Sequence, residues 1–234
     1  MSYQKAKRAL HALADPEHAA HHQRFFRTGP GEYGEGDVFL GLRVPQVRQI
    51  AKEHRELGLD AIGRLLRSAI HEERLLALVI LVDQYQRAPE DRRTTLVDFY
   101  LEHLDSVDNW DLVDLSAPKI LGKHLLTRNR KLLDRLSRSK NLWERRIAML
   151  ATLTFIQAGE WKDTLRLAER YLDDCEDLIH KASGWMLREV GKADEGVLLA
   201  FLDQHYPNMP RTMLRYALEK VPERIRQQYL KGRR

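Results

Sequence analysis

Leu75-Leu76-Ala77-Leu78-Val79-Ile80-Leu81-Val82-Asp83-Gln84-Tyr85 is the stretch that decides the fold. Within it Leu75, Leu78, Val79, Val82 and Tyr85 recur every three or four positions, the spacing of a helix face packed on a core. The apolar run from Leu75 to Val82 falls far short of the roughly 20 residues that span a bilayer. Working outward, the same rhythm returns. Ile147, Leu150, Thr154 and Gln157 with Trp143 make a second stripe, and Leu178, Ala182, Trp185 or Met186, and Glu189 make a third. Leu, Ala, Arg, Glu and Lys, all strong helix formers, dominate the chain. Strand-like alternation is scarce; Val38-Phe39-Leu40 alone reads as a short strand.

Breakers punctuate this pattern at regular intervals. Asp15-Pro16-Glu17 reads as an N-cap followed by proline at the first helical position. The same logic applies at Ala88-Pro89, Ala117-Pro118, Met209-Pro210 and Val221-Pro222, and Asp108 is placed to cap a helix starting at Asn109. Gly58, Gly159 and Gly191 are expected at helix ends. About fourteen helices of roughly 8–18 residues result, joined by short connections. Helix pairs repeating at about 35–45 residues without strands predict an all-α, HEAT-like helical-repeat solenoid of stacked antiparallel pairs with a concave basic face. The exception is a glycine-rich loop over residues 29–37. No linker divides the chain, so one domain over 1–234 is expected.

Composition narrows the partners. Of 234 residues, 39 are Lys or Arg and 34 are Asp or Glu, a net charge of +5, which raises the odds of an anionic partner only slightly. Charged residues at 31% and hydrophobic ones at 43% give a real core under a charged surface and exclude disorder by composition. The lone Cys175 builds no disulfide or thiolate cluster within the chain and sits among acids that disfavour a reactive thiolate. The polar start carries no apolar signal region, so a soluble, cytoplasmic protein is expected, and since a solenoid needs no partner to close its core, a monomer. His18 and His22 share a helix face but lack further ligands, His71-Glu72-Glu73-Arg74-Leu75 fails the His-Glu-x-x-His zinc pattern, and no phosphate-cradling glycine motif occurs. Neither a metal nor a cofactor is expected.

Two segments carry chemistry. In Asn109-Trp110-Asp111-Leu112-Val113-Asp114, Trp110 and Asp114 lie one turn apart on one face. In Lys181-Ala182-Ser183-Gly184-Trp185-Met186-Leu187-Arg188, Lys181 and Arg188 flank Trp185 on one stripe. A basic aromatic stripe suits a phosphate backbone, and an indole beside a carboxylate suits a cation. Arg145 or Arg146, next to Trp143, must point away from its own apolar stripe and would join that face. On residue type alone both tryptophans also fit a core, and Asp114 also fits an ion pair with Lys119 or Arg146.

Trp110-Asp111-Leu112-Val113-Asp114, followed by Pro118 and Gly122, resembles the Trp-Asp-x-Val-Asp signature of the AlkD-type DNA alkylation repair glycosylases. Lys181-Ala182-Ser183-Gly184-Trp185-Met186-Leu187-Arg188-Glu189 is similar to that family's Lys-Ala-x-Gly-Trp-x-Leu-Arg-Glu. Phe39-Leu40-Gly41-Leu42-Arg43-Val44-Pro45 and Leu214-Arg215-Tyr216-Ala217-Leu218-Glu219-Lys220 also match family segments. The resemblance implies a HEAT-like solenoid that removes cationic N3- and N7-alkylated purines from double-stranded DNA without swallowing the base into a pocket. It puts Asp114, Trp110 and Trp185 in catalytic positions and Arg146 and Arg188 on the DNA backbone, with Lys181, Arg43, Phe25 and Phe26 as further DNA contacts. Three departures are visible: Phe25 or Phe26 stands where the best-known member has a tyrosine, Asn109 replaces a tryptophan of some members, and the 29–37 loop is longer.

Such a site has a physical rationale. An acid in a DNA groove weakens binding, so its presence suggests a catalytic return. Scission of an N-glycosidic bond to a cationic base leaves an oxocarbenium ion, which a carboxylate stabilises, and no general acid is required. Two other classes fit the same stripes. One is a non-catalytic HEAT protein that binds branched or damaged DNA, as some relatives of this fold do; the other is an adaptor for protein partners.

Overall fold

The computed structural model describes residues 2–232. Among them the chain is all-helical; the only β-type pairing is an isolated parallel bridge between Val38 and Ile70, so Val38-Phe39-Leu40 forms no strand. The helices cluster into two compact units, Met1–Ile120 and Leu121–Arg234.

The first unit holds α1 (Tyr3–His11), α2 (Pro16–Phe25), α3 (Val44–Glu53), α4 (Leu59–Leu66), α5 (His71–Arg87), α6 (Glu90–Glu102) and α7 (Trp110–Ser116). Helix α5 is its centre, packed by α1, α3, α4, α6 and α7. Its burial runs all round, from His71 through Leu78 and again from Ile80 to Val82, and takes in the polar first turn His71-Glu72-Glu73-Arg74 as well as the apolar run that follows. The second unit holds α8 (Lys123–Leu125), α9 (Lys131–Ser137), α10 (Leu142–Gln157), α11 (Lys162–Arg170), α12 (Asp177–Ala193), α13 (Glu195–His205), α14 (Arg211–Ala217) and α15 (Glu223–Leu230). Here α12 is the hub, packed by α10, α11, α13 and α14.

Several boundaries follow the sequence logic. Asp15 caps α2 by accepting from the amides of Glu17 and His18, with Pro16 as the first helical residue. Gly159 takes a left-handed φ of 82° just past α10. Others move. Asn109, not Asp108, caps α7, because Asp108 pairs with Arg74 at 3.2 Å. Pro118 starts no new helix; Pro118–Gly122 is a π-helical turn running on from α7. Gly58 is the N-cap of α4 rather than the end of α3. Gly191 lies inside α12, where it lets Leu198 of α13 pack against the helix backbone.

Gly184 sets the spacing of α12 and α14. A Cβ there would lie 2.5 Å from both the Met213 carbonyl oxygen and the Tyr216 Cβ, and neither a backbone nor a Cβ can swing aside. Gly184→Ala is therefore expected to cost about 2 kcal/mol of unfolding free energy through overpacking, read as a lowered denaturation midpoint at unchanged slope. Wild-type stability in that variant would show that the two helices separate freely.

Candidate active site

The end of α7 that carries Trp110 is built on a buried ionic lattice. His71, 2% exposed at the start of α5, is held between two carboxylates: Asp37 Oδ2 lies 2.7 Å from Nδ1 and Asp111 Oδ2 lies 2.8 Å from Nε2. Burial alone would lower its pKa. The two carboxylates outweigh that and raise it to about 9, so the ring is an imidazolium at neutral pH, donating to both acids. Burial opposes the charge on Asp37, but His71 and Arg74, the latter at 2.9 Å, hold its carboxyl below the ordinary value. Asn109 closes the lattice, capping α7 through its Oδ1 and approaching Asp37 with Nδ2 at 3.4 Å.

The next residue of α5 shapes the chain opposite. The buried Glu72 carboxylate accepts from the backbone amides of Leu40, Gly41 and Leu42 at 2.9, 2.8 and 3.1 Å. Three converging N–H groups satisfy the buried carboxylate, with the His22 ring nitrogen Nδ1 a further 3.7 Å from Oε1. They also fix the segment that delivers Phe39 inward and Arg43 to the start of α3.

Upon this lattice sits an aromatic array. His71, Phe39, Phe26 and Trp110 stack in succession: Phe39–His71 at 4.5 Å, Phe26–Phe39 at 5.0 Å, and Phe26–Trp110 at 5.0 Å with planes 22° apart. Phe25 meets Trp110 edge-on at 5.7 Å. The array walls a cavity of about 470 Å³, with Leu42, Arg43, Val44 and Pro45 completing its rim and Asp111 and Glu72 at its polar edge. Phe25 is 57% exposed, an uncommon position for a large apolar ring. Of the two phenylalanines expected to touch DNA, Phe25 is the accessible one; Phe26 is buried inside the stack. Asp114 is half-buried, one turn along α7 from Trp110 and on the same face.

In the second unit Trp185 is half-buried on α12, and its indole N–H donates to Glu189 Oε1 at 3.0 Å. Glu189 also takes Lys192 at 2.8 Å and Arg188 at 3.3 Å. Burial disfavours its charge, yet Lys192, Arg188 and Trp185 together hold its carboxyl below the ordinary value. Arg188 is further paired with Glu219, and Lys181 with Asp177 at 2.8 Å. The two cations of the expected stripe, Lys181 and Arg188, are thus each paired with acids of their own unit. Arg146 departs further from expectation. It is 4% exposed and donates from Nη1 to the Leu178 carbonyl at 2.6 Å, so it points into packed structure. Its neighbour Arg145 clasps Asp174 at 2.7 Å, and neither follows the outward direction inferred from the Trp143 stripe. Arg43 is exposed, with Nη2 3.1 Å from His18 Nε2.

The sequence reading weighed His71-Glu72-Glu73-Arg74-Leu75 only as a zinc pattern and so missed the buried ionic roles of His71, Glu72 and Arg74, whose partners lie 30 or more residues away. It also missed Tyr33, whose phenol oxygen accepts the Trp110 indole N–H at 3.2 Å. Lys119, considered in the sequence only as an ion-pair partner for Asp114, is a third omission. Burial lowers its pKa, and the nearby positive charge of Arg48 lowers it further; among the described residues neither cation forms an ion pair. Lys119 follows directly on the signature segment, which was the available signal.

The profile of a family described as DNA alkylation repair enzyme matches residues 6–221. The chain therefore belongs to the DNA alkylation repair enzyme family. Among solved structures it is similar to a predicted DNA alkylation repair enzyme from Enterococcus faecalis. The TM-score is 0.71 at 17% identity, covering 90% of this chain and 97% of that one, a likeness of fold. No curated protein matches. No helix among the described residues is long and apolar enough to cross a membrane.

Proposed function

We propose that this member of the family is a monofunctional DNA glycosylase that hydrolyses the N-glycosidic bond of cationic N3- and N7-alkylated purines in duplex DNA. The observation that carries the reading is the pairing of Trp110 with Asp114 on α7. The ring is fixed by an aromatic stack, and the acid stands one turn away with its side chain part-open to solvent. In this mechanism the base leaves neutral, because alkylation has already made it a cation. The deoxyribose left behind is electron-poor at C1′, and the Asp114 carboxylate lowers its energy and orients the water that adds there. Water supplies the hydroxyl to C1′, and its remaining proton passes to solvent by way of the carboxylate. The Trp110 face adds roughly 0.5–2 kcal/mol of attraction to the cationic sugar or base. Trp185 takes the equivalent place in the family's second signature.

Phosphate contacts are assigned to groups that the structure leaves accessible: Arg43, the Lys119–Arg48 pair and, after exchange from Asp177, Lys181. Two neighbouring cations without an acid are stabilised by an anion between them. Lys119→Gln is expected to weaken duplex binding uniformly across sequences and to reduce the slope of log K against log salt by about 1. An unchanged slope would remove Lys119 from the interface.

The reading is tested by incubating the protein with methylated duplex and measuring free base by chromatography. Release of 7-methylguanine or 3-methyladenine is the expected result. Tight binding to branched DNA with no base release would favour the non-catalytic DNA-binding alternative. A flat salt dependence would exclude both DNA readings.

A further inference from the structure

We infer that Tyr33 is the positioning residue for Trp110, and that the glycine-rich loop 29–37 is the device that brings it there. This rests on the glycosylase reading, which gives Trp110 its place against the lesion. Stacking alone does not fix an indole. Contact with Phe26 on one face and the edge of Phe25 restrain its tilt, but a ring sliding or turning in its own plane keeps most of its dispersion energy. A hydrogen bond at the ring edge removes that freedom. The Trp110 Nε1–H donates to the Tyr33 oxygen at 3.2 Å, and the Tyr33 hydroxyl donates onward to the Phe25 carbonyl at 3.5 Å. Tyr33 thereby ties the rim of the cavity from α7 to the end of α2.

The loop is anchored on both sides of Tyr33. After it, the Gly34 amide donates to the Arg27 carbonyl at 3.1 Å. A Cβ on residue 34 would lie 2.5 Å from the Phe26 carbonyl oxygen, so only glycine lets the loop lie directly on the end of α2. Asp37 fastens the far end to His71 and Arg74 at 2.7 and 2.9 Å. Before Tyr33, the Gly29 and Gly31 amides donate to the Glu32 and Glu35 carboxylates at 3.0 and 2.9 Å, closing the loop on itself. A phenol held between such anchors arrives at the indole already oriented, with little ordering cost left to meet. The sequence places phenylalanines at 25 and 26, which carry no hydroxyl; the loop supplies one from outside α2.

The test uses Tyr33→Phe and Gly34→Ala in the full chain. Three readouts are taken: the Trp110 indole N–H resonance, assigned by its loss in Trp110→Phe; single-turnover release of 7-methylguanine; and the Kd for the lesion duplex. Tyr33→Phe is expected to shift the indole resonance and speed its solvent exchange. It should slow base release about tenfold, with Kd changed less than about twofold, as misorientation rather than lost binding requires. Gly34→Ala keeps the phenol but lifts the loop, and should reproduce both effects. An unmoved indole resonance in Tyr33→Phe, or a moved one with full excision rate, overturns the inference. Should the native protein release no base at all, the glycosylase reading fails separately, and the indole resonance still decides whether Tyr33 holds Trp110.

Discussion

Replacing Asp114 by asparagine is expected to slow single-turnover release of 7-methylguanine by about a thousandfold while leaving the Kd for duplex DNA within about twofold. The amide keeps the volume of the carboxylate but removes its charge and turns one acceptor oxygen into a donor, so it neither stabilises the cation nor takes the water's proton. A carboxylate about 4 Å from a developing cation is worth up to ~4 kcal/mol at an effective dielectric near 20, or about three powers of ten in rate. The stabilisation is absent from the ground state of a base whose charge has not yet shifted to the sugar, so it raises kcat rather than affinity. Removing a negative charge near phosphates should, if anything, tighten binding slightly. Circular dichroism and the thermal midpoint establish that the variant is folded. Full retained activity would strip Asp114 of its role.

The second large effect concerns pH. His71 has its pKa raised from 6.5 to about 9 in the folded chain, and it is almost fully buried, so solvent screening takes little away. A raised pKa means that the folded state holds the proton more tightly than the unfolded one. The contribution is fully present below pH 6.5 and disappears as pH climbs through 9, and a shift of this size corresponds to about 3 kcal/mol. The part of the stability that His71 supplies, read from denaturant titration as the difference from His71→Gln, should hold level from about pH 5 to 6.5 and decline towards pH 9.5. The imidazole resonances of His71 should titrate near pH 9. A midpoint near 6.5 would mean that Asp37 and Asp111 do not hold the ring as an imidazolium. Because Asp111 and Asn109 flank Trp110, the alkaline loss should also disturb the aromatic array and so the excision rate.

How much of this was legible in the chain differs by residue. Three- and four-residue spacing around Leu75 and Ile147 gave the helices, because burial of a helix face leaves a periodic trace whatever its partner. Gly191 read as a helix end because a glycine's use for close packing against Leu198 leaves the same letter as its use in a cap. Arg146 read as outward because a polar residue beside an apolar stripe is normally solvated; its guanidinium instead satisfies the Leu178 carbonyl, a partner 32 residues away. The same holds for His71, joined to Asp37 and Asp111 across 34 and 40 residues, and for Tyr33, joined to Trp110 across 77. Periodicity carries no information about pairings at such separations. The tryptophans and Asp114 were found only because their local strings resemble a family signature, and spacing alone left them open to a core or an ion pair.

Under the glycosylase reading this chain breaks only sugar–base bonds whose leaving group is already cationic. That reading is tested most directly by quantifying free base from matched duplexes carrying 7-methylguanine, 3-methyladenine or a neutral lesion such as hypoxanthine. Release of both methylated purines and none of the neutral base is the expected result. Release of all three would show that protonation of the base is supplied by the protein, and release of none, from a protein that still binds these duplexes, would contradict glycosylase activity outright.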